Sequence, residues 1–235
     1  MWLSDYRRTY LERDLADLGR VADLDRFALA QDLVALRTAQ LLSYSELARD
    51  LGVAPNTVSR YVRYLEISYQ IFLPRPWFRH AGKRLVKSPK VYWTDVGLIR
   101  RLGGGASIAE GAPYETYLLG EILKGRSFQN DPPELYFFRT YAGEEVDFLL
   151  VNERTIISIE AKSSNRVGAW DGRNLAAVLA DPDAQFPDTA KSRLGLVVYR
   201  GRHIEELRPQ VWAIPEWMLF GPLDISRAFR TRRKK

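Results

Sequence analysis

Apolar residues recur every three or four positions near the start of the chain: Tyr6, Tyr10, Leu11, Leu15 and Leu18, then Phe27, Leu29, Leu33, Leu36 and Leu41. That period predicts helix over 5–42, with a polar break near Asp23–Asp25 dividing it in two. "SYSELARDLGVAPNTVSRYVRYLE", Ser43 to Glu66, predicts a helix, a tight turn and a second helix. "FLPRPWFRHAGKRLVKSPKVYWTD" mixes prolines with apolar clusters and predicts short strands or a wing. The glycine-rich "RLGGGASIAEGAP" interrupts the pattern and sets the expected domain boundary near residue 103. Beyond it, "YETYLLGEILKG" reads as a helix stopped by its last glycine. "LYFFRTY", "EVDFLLV" and "TIISIEAK" read as strands, "AWDGRNLAAVLADP" as helix, and "RLGLVVYRG" and "VWAIPEWMLF" as the closing strands. The order α-β-β-β-α-β-β predicts an α/β domain with a mixed central sheet over 103–226, behind a helical domain over 1–102. The chain as a whole is expected to be α+β and multidomain.

The helix–turn–helix, 43–66, has a fairly specific internal logic. Ser45 is positioned to cap the first helix, with Glu46 in the first turn. Leu47, Ala48 and Leu51 face inward, Gly52 suits a left-handed turn residue, and Pro55 suits the first turn of the next helix. Val58, Tyr61, Val62 and Leu65 form the buried stripe. Asn56, Thr57, Ser59, Arg60 and Arg63 are left outward, where they can reach bases and phosphates in a major groove. The same geometry also serves protein contacts, or a plain helical hairpin with solvated arginines.

"EEVDFLLVNERTIISIEAKSS", residues 144–164, raises a different question. Two apolar strands are interrupted at their ends by Asp147, Glu160 and Lys162. Glu160 and Lys162 share a face because strand side chains alternate. If "VNERT" closes a symmetric hairpin, Asp147 lies across from Glu160, and Glu145 across from Lys162. Two facing carboxylates repel unless something compensates. A magnesium or manganese ion would do so, with the Ala161 carbonyl as a further oxygen, and Lys162 would orient a water or steady a scissile phosphate. An ordinary ion pair at a strand end, Lys162 neutralising Glu160 or Glu145, accounts for the same residues.

Charge adds to this picture. The net charge is +6; residues 1–102 hold 17 Lys/Arg against 11 Asp/Glu, and the remainder is balanced. The basic first half and the basic tail at 227–235, "RAFRTRRKK", suit a polyanion such as DNA, or simply solubility. Lys83, Arg84, Lys87 and Lys90 are candidate phosphate contacts. Tyr92 and Trp93 read as buried strand aromatics in preference to base-stacking groups. With no cysteine, and only His80 and His203 as histidines, thiolate sites are excluded and a zinc site of the usual kind is not expected. No apolar run reaches membrane-span length and no hydrophobic signal core opens the chain, so a soluble cytoplasmic protein without membrane contact is expected.

The pattern Asp147 … Glu160-Ala161-Lys162 resembles the PD-(D/E)xK nuclease superfamily. The resemblance implies a restriction-endonuclease-like fold in which Asp147 and Glu160 hold the metal and Lys162 assists catalysis. It also implies an acidic ligand from the preceding helix: Glu115, with Glu121 second. Over almost the whole chain, "YRRTYLERDL", "LARDLGVAPNTVSRYVRYLE", "KRLVKSPKVYWTDVGL", "FFRTYAGEEVDFLL" and "IEAKSS" resemble a prokaryotic family. Its members join an AAA-type ATPase to a C-terminal domain of unknown function, itself a winged-helix-like part plus a PD-(D/E)xK-like part. This chain departs from that pattern: no Walker motif occurs, and it starts where the family's second part would start. The resemblance therefore implies DNA binding with magnesium-dependent phosphodiester hydrolysis. The alternatives are a non-catalytic DNA- or protein-binding module serving an AAA-type ATPase in cis or trans, and a helix–turn–helix transcriptional regulator.

Overall fold

A computed structural model describes residues 9, 23–77, 88–102, 108–109, 111–140, 143–181, 184 and 186–220. The chain divides into two compact units: residues 1–117 with 139–143, and residues 118–138 with 144–235. Among the described residues there are six α-helices and a mixed sheet. None of these helices is long and apolar enough to cross a membrane. The division by packing falls inside a helix, Ala112–Ser127, and not at the glycine-rich run.

In the first unit, α1 (Leu24–Leu36) starts where the polar break was expected. Asp23 caps it by accepting the Arg26 N–H at 2.9 Å. The helix expected through residue 42 ends at Leu36, because the residues beyond it bond to a distant strand instead. Ala39 turns to φ 61°, its N–H donates to the Val91 carbonyl at 2.7 Å, and Gln40–Leu41 become strand β1. Next come α2 (Tyr44–Leu51), α3 (Pro55–Ile67), β2 (Ile71–Phe72) and β3 (Arg75–Pro76). After these, β4 (Lys90–Trp93) leads into α4 (Val96–Leu102), which Asp95 caps by accepting the Leu98 N–H at 2.7 Å. β4 lies between β1 and β2 and is antiparallel to both.

The α2 cap is Ser43, two residues earlier than Ser45. Its hydroxyl accepts the Glu46 N–H, the Ser-x-x-Glu spacing of a capping box. Gly52 closes α2 at φ 63°, and Arg26 Nη1 donates to the exposed Gly52 carbonyl at 2.7 Å. Phe27 packs edge-on against Tyr61, and Val34, Leu47, Val58, Leu65 and Trp93 complete the core beneath.

The second unit is organised by a sheet in the order β5-β6-β7-β8-β10-β9. The strands are β5 (Glu134–Arg139), β6 (Glu145–Val151), β7 (Thr155–Lys162), β8 (Ser192–Tyr199), β9 (Glu205–Arg208) and β10 (Val211–Pro215). β6/β7 and β9/β10 are antiparallel; β7/β8 and β8/β10 are parallel. The helix Ala112–Ser127, α5, runs past Gly125, which keeps helical geometry instead of stopping it. α6 (Arg173–Ala180) connects β7 to β8, and a 3-10 turn, Glu216–Phe220, closes the described chain after β10.

Val146 to Val151 are buried throughout, as befits a central strand covered on both faces. Gly195 in β8 lets helix and sheet approach: a Cβ there would sit 2.8 Å from a Val211 methyl and 3.2 Å from Leu175 of α6. Sequence pattern does not reveal β9, because "EELR" carries no apolar alternation; it is an edge strand paired only with β10.

Candidate functional site

The β6–β7 turn sets the geometry of the carboxylate cluster. Asn152 Oδ1 accepts the N–H groups of Arg154 (2.9 Å) and Thr155 (2.7 Å), an Asx turn that closes the hairpin. The resulting register runs from Val151↔Ile156 to Phe148↔Ile159. It is the symmetric register the sequence suggested, and its last pair is Phe148↔Ile159. Past Phe148 the Asp147 carboxylate itself takes a backbone donor, accepting the Ala161 N–H at 2.9 Å. Nearby, the Glu145 carbonyl accepts from the Asn174 side chain of α6 at 3.1 Å. Asp147 is therefore held against β7 at the point where the two strands stop exchanging ladder bonds.

Lys162 points to the same face as Glu160, and its Nζ lies 2.9 Å from Glu160 Oε1. Asp171 Oδ1 stands 3.9 Å from the same ammonium, while Asp171 Oδ2 accepts the Gly168 N–H at 2.9 Å. Burial pulls the Lys162 ammonium down in pKa, but Glu160, Asp147 and Asp171 more than offset this and leave it above the usual lysine value. Lys162 is thus a cation at neutral pH. Asp171 is not among the residues the sequence singles out, because "AWDGRN" reads as helix. The Asp-Gly pair was the available signal, since it favours a turn before the helix.

Glu115 has partners of its own. In the first unit its Oε1 accepts from Lys90 Nζ at 3.0 Å and from the Tyr92 hydroxyl. Lys90 is 1% exposed, so the expectation that it contacts phosphate is corrected: its charge is spent on Glu115 inside the protein. Tyr92 and Trp93 are buried strand aromatics, as expected. Glu121 pairs with Lys124 at 2.6 Å. Among the described residues, no group of three or more Asp, Glu or His side chains is close enough to hold a metal ion. Asp147 and Glu160 both act on the Lys162 ammonium, and carboxylate oxygens are hard donors. A cavity of about 250 Å³, bounded by Ile122, Leu150, Ile157, Leu194 and Leu219, opens on the other face of the sheet and is mostly apolar.

On α3, Asn56, Ser59, Arg60 and Arg63 are exposed and Thr57 is half-buried; Val58, Tyr61, Val62 and Leu65 are buried beneath them. Lys83, Arg84, Lys87, His80 and the tail 227–235 lie outside the described residues.

Two recognised domains meet near residue 109, within the glycine-rich run 101–113. Residues 1–108 match the family model "Domain of unknown function (DUF8612)", and residues 110–219 match "Domain of unknown function (DUF4143)". The chain is also similar to Uncharacterized protein Rv2008c of Mycobacterium tuberculosis and Uncharacterized protein Mb2031c of Mycobacterium bovis. Each is 31% identical over 221 residues, 91% of this chain and 47% of the relative. The chain therefore spans about half the length of the curated relatives it matches. No solved structure matches it significantly.

Proposed function

We propose that the chain is a DNA-binding protein whose second unit carries a PD-(D/E)xK nuclease-like site for magnesium-dependent phosphodiester hydrolysis. The observation that carries this reading is the cluster just past the hairpin ladder: Asp147 accepts the Ala161 N–H at 2.9 Å, and Lys162 Nζ lies 2.9 Å from Glu160. Asp147 and Glu160 would hold the ion, with the Ala161 carbonyl adjacent. When bound, such an ion supplies Lewis-acid polarisation and a water of lowered pKa. Asp147 is kept in place by the Ala161 N–H. Lys162, with its raised pKa, acts as a fixed positive charge toward a phosphate and does not serve as a proton acceptor.

The first unit supplies the grip. Its order, α1-β1-α2-α3-β2-β4 with β4 between β1 and β2, is compatible with a winged helix. Asn56, Thr57, Ser59, Arg60 and Arg63 would meet the duplex, with Lys83, Arg84 and Lys87 as the wing's phosphate contacts.

A second reading has its own support: a non-catalytic module partnering an AAA-type ATPase. Glu115, the third ligand expected from the resemblance, is engaged with Lys90 and Tyr92, and Lys162 is already paired. More than half of each curated relative lies outside the match, which leaves room for an ATPase domain.

Incubation of linear and supercoiled DNA with magnesium or manganese separates the two. The nuclease reading expects cleavage that disappears in Lys162→Ala while DNA binding persists. Binding without cleavage under either cation leaves the module reading. Arg60→Ala with Arg63→Ala should weaken binding and lower the slope of affinity against salt by nearly one per lost phosphate contact. An unchanged slope removes α3 as the DNA-facing element.

A further inference from the structure

The parallel strands β7 and β8 end in register, Lys162 beside Tyr199, so the loops beyond them leave from the same end of the sheet. The loops are tied together: the Arg200 N–H donates to the Ser164 carbonyl at 3.1 Å. The first of them, 163–172, carries Trp170, whose side chain stands 70% exposed. The Arg173 guanidinium lies 3.8 Å from the centre of its ring, and Arg173 Nη1 donates to the Trp170 carbonyl at 3.1 Å.

A cation stacked on one side of a planar ring, with most of the residue still exposed, leaves the opposite side open. The position of the ring is not left to chance. Asp171, the next residue, bonds the Gly168 N–H and faces Lys162 Nζ at 3.9 Å; Arg208 Nε donates to the Ala169 carbonyl at 2.6 Å. Arg166, Arg200 and Arg202 are exposed on the same two loops. An open aromatic face backed by one guanidinium and bordered by others is complementary to a π-face joined to phosphates.

We propose that Trp170, backed by Arg173, is a stacking platform for an unpaired nucleobase, so that the second unit takes a single-stranded segment of nucleic acid beside the carboxylate–lysine cluster. This rests on the nucleic-acid reading above and sharpens its substrate to an end, a flap or a locally opened strand. A base stacks on the free face of Trp170, and Arg166 and Arg202 meet the flanking phosphates. A duplex, whose bases are already stacked on one another, offers no face to Trp170 and is met by α3 instead.

The test uses the full chain, a fluorescein-labelled oligo-dT of about 15 nucleotides, within the usual single-strand site range, and a duplex of the same length. Anisotropy is read in EDTA, so cleavage does not enter. Trp170→Ala should weaken single-strand binding about tenfold, the loss of one base-on-aromatic stack, while Trp170→Phe retains most of the affinity. The salt slope should stay as in wild type, because no phosphate contact is removed. Duplex affinity should not move. Trp170→Ala binding the oligo-dT as wild type does, or losing single strand and duplex equally, overturns the platform while leaving the DNA-binding reading in place. Wild type that binds neither probe overturns both. Binding with the expected pattern but no cleavage under magnesium removes only the hydrolytic role.

Discussion

Glu115→Gln removes the negative charge facing Lys90 while keeping the shape of the side chain, and so distinguishes a structural counter-ion from a metal ligand. Lys90 is 1% exposed and Glu115 15%, with 3.0 Å between the charged atoms and the Tyr92 hydroxyl on the same oxygen. An ammonium this far from water cannot recover its hydration when its partner is neutralised. Breaking a buried pair costs about 3–5 kcal/mol, and the partial exposure of Glu115 sets the expectation near the lower end, about 3 kcal/mol. At roughly 2–4 °C per kcal/mol for a chain of this size, Tm should fall by about 6–12 °C. Differential scanning calorimetry on wild type, Glu115→Gln, Lys90→Met and the double variant closes a cycle, and the double variant should be more stable than the two single losses summed by about 2 kcal/mol. A counter-ion role for Glu115 is refuted if Glu115→Gln melts within about 2 °C of wild type, a shift worth under ~1 kcal/mol, or if its loss appears only when magnesium is present. The latter would make Glu115 a ligand after all.

Other outcomes rest on single contacts. The raised pKa of Lys162 means its ion-pair contribution is fully present below the unfolded lysine value of about 10.4 and is lost as pH rises through the higher folded value. The urea midpoint of Lys162→Met should therefore lie below that of wild type at neutral pH, with the gap narrowing only at strongly alkaline pH. Gly195→Ala should cost about 1–3 kcal/mol in urea unfolding, because the added methyl meets Val211 at 2.8 Å and Leu175 at 3.2 Å. A wild-type midpoint would show that α6 yields at little cost. Asn152→Ala leaves two turn N–H groups without their acceptor and should lose about 1–2 kcal/mol. Native-state hydrogen exchange should show the loss as faster exchange of the Arg154 and Thr155 amides.

Much of the local structure was legible because it is governed by short-range rules. The α2–α3 turn is dictated by Gly52, Pro55 and the apolar stripe Val58, Tyr61, Val62, Leu65, all of which act within a few residues of one another. The hairpin register was legible for the same reason: Asn152 closes the turn locally, and alternation then decides which side Asp147, Glu160 and Lys162 take. Ser43 in place of Ser45 was a choice between two nearby serines, and the Ser43 hydroxyl is the one that accepts the Glu46 N–H. What the chain pattern could not decide was partnership between distant charges. Nothing in the spacing says that Lys90 belongs to Glu115, that Asp171 faces Lys162, or that Arg173 stacks on Trp170. Nor does local pattern explain why the helical period through Leu41 yields to strand β1, whose hydrogen bonds go to β4. Propensity and periodicity act along a few residues of chain. The choice of a counter-ion or a ladder partner is settled only when packing brings remote segments within bonding distance and removes the water that would otherwise serve them equally well.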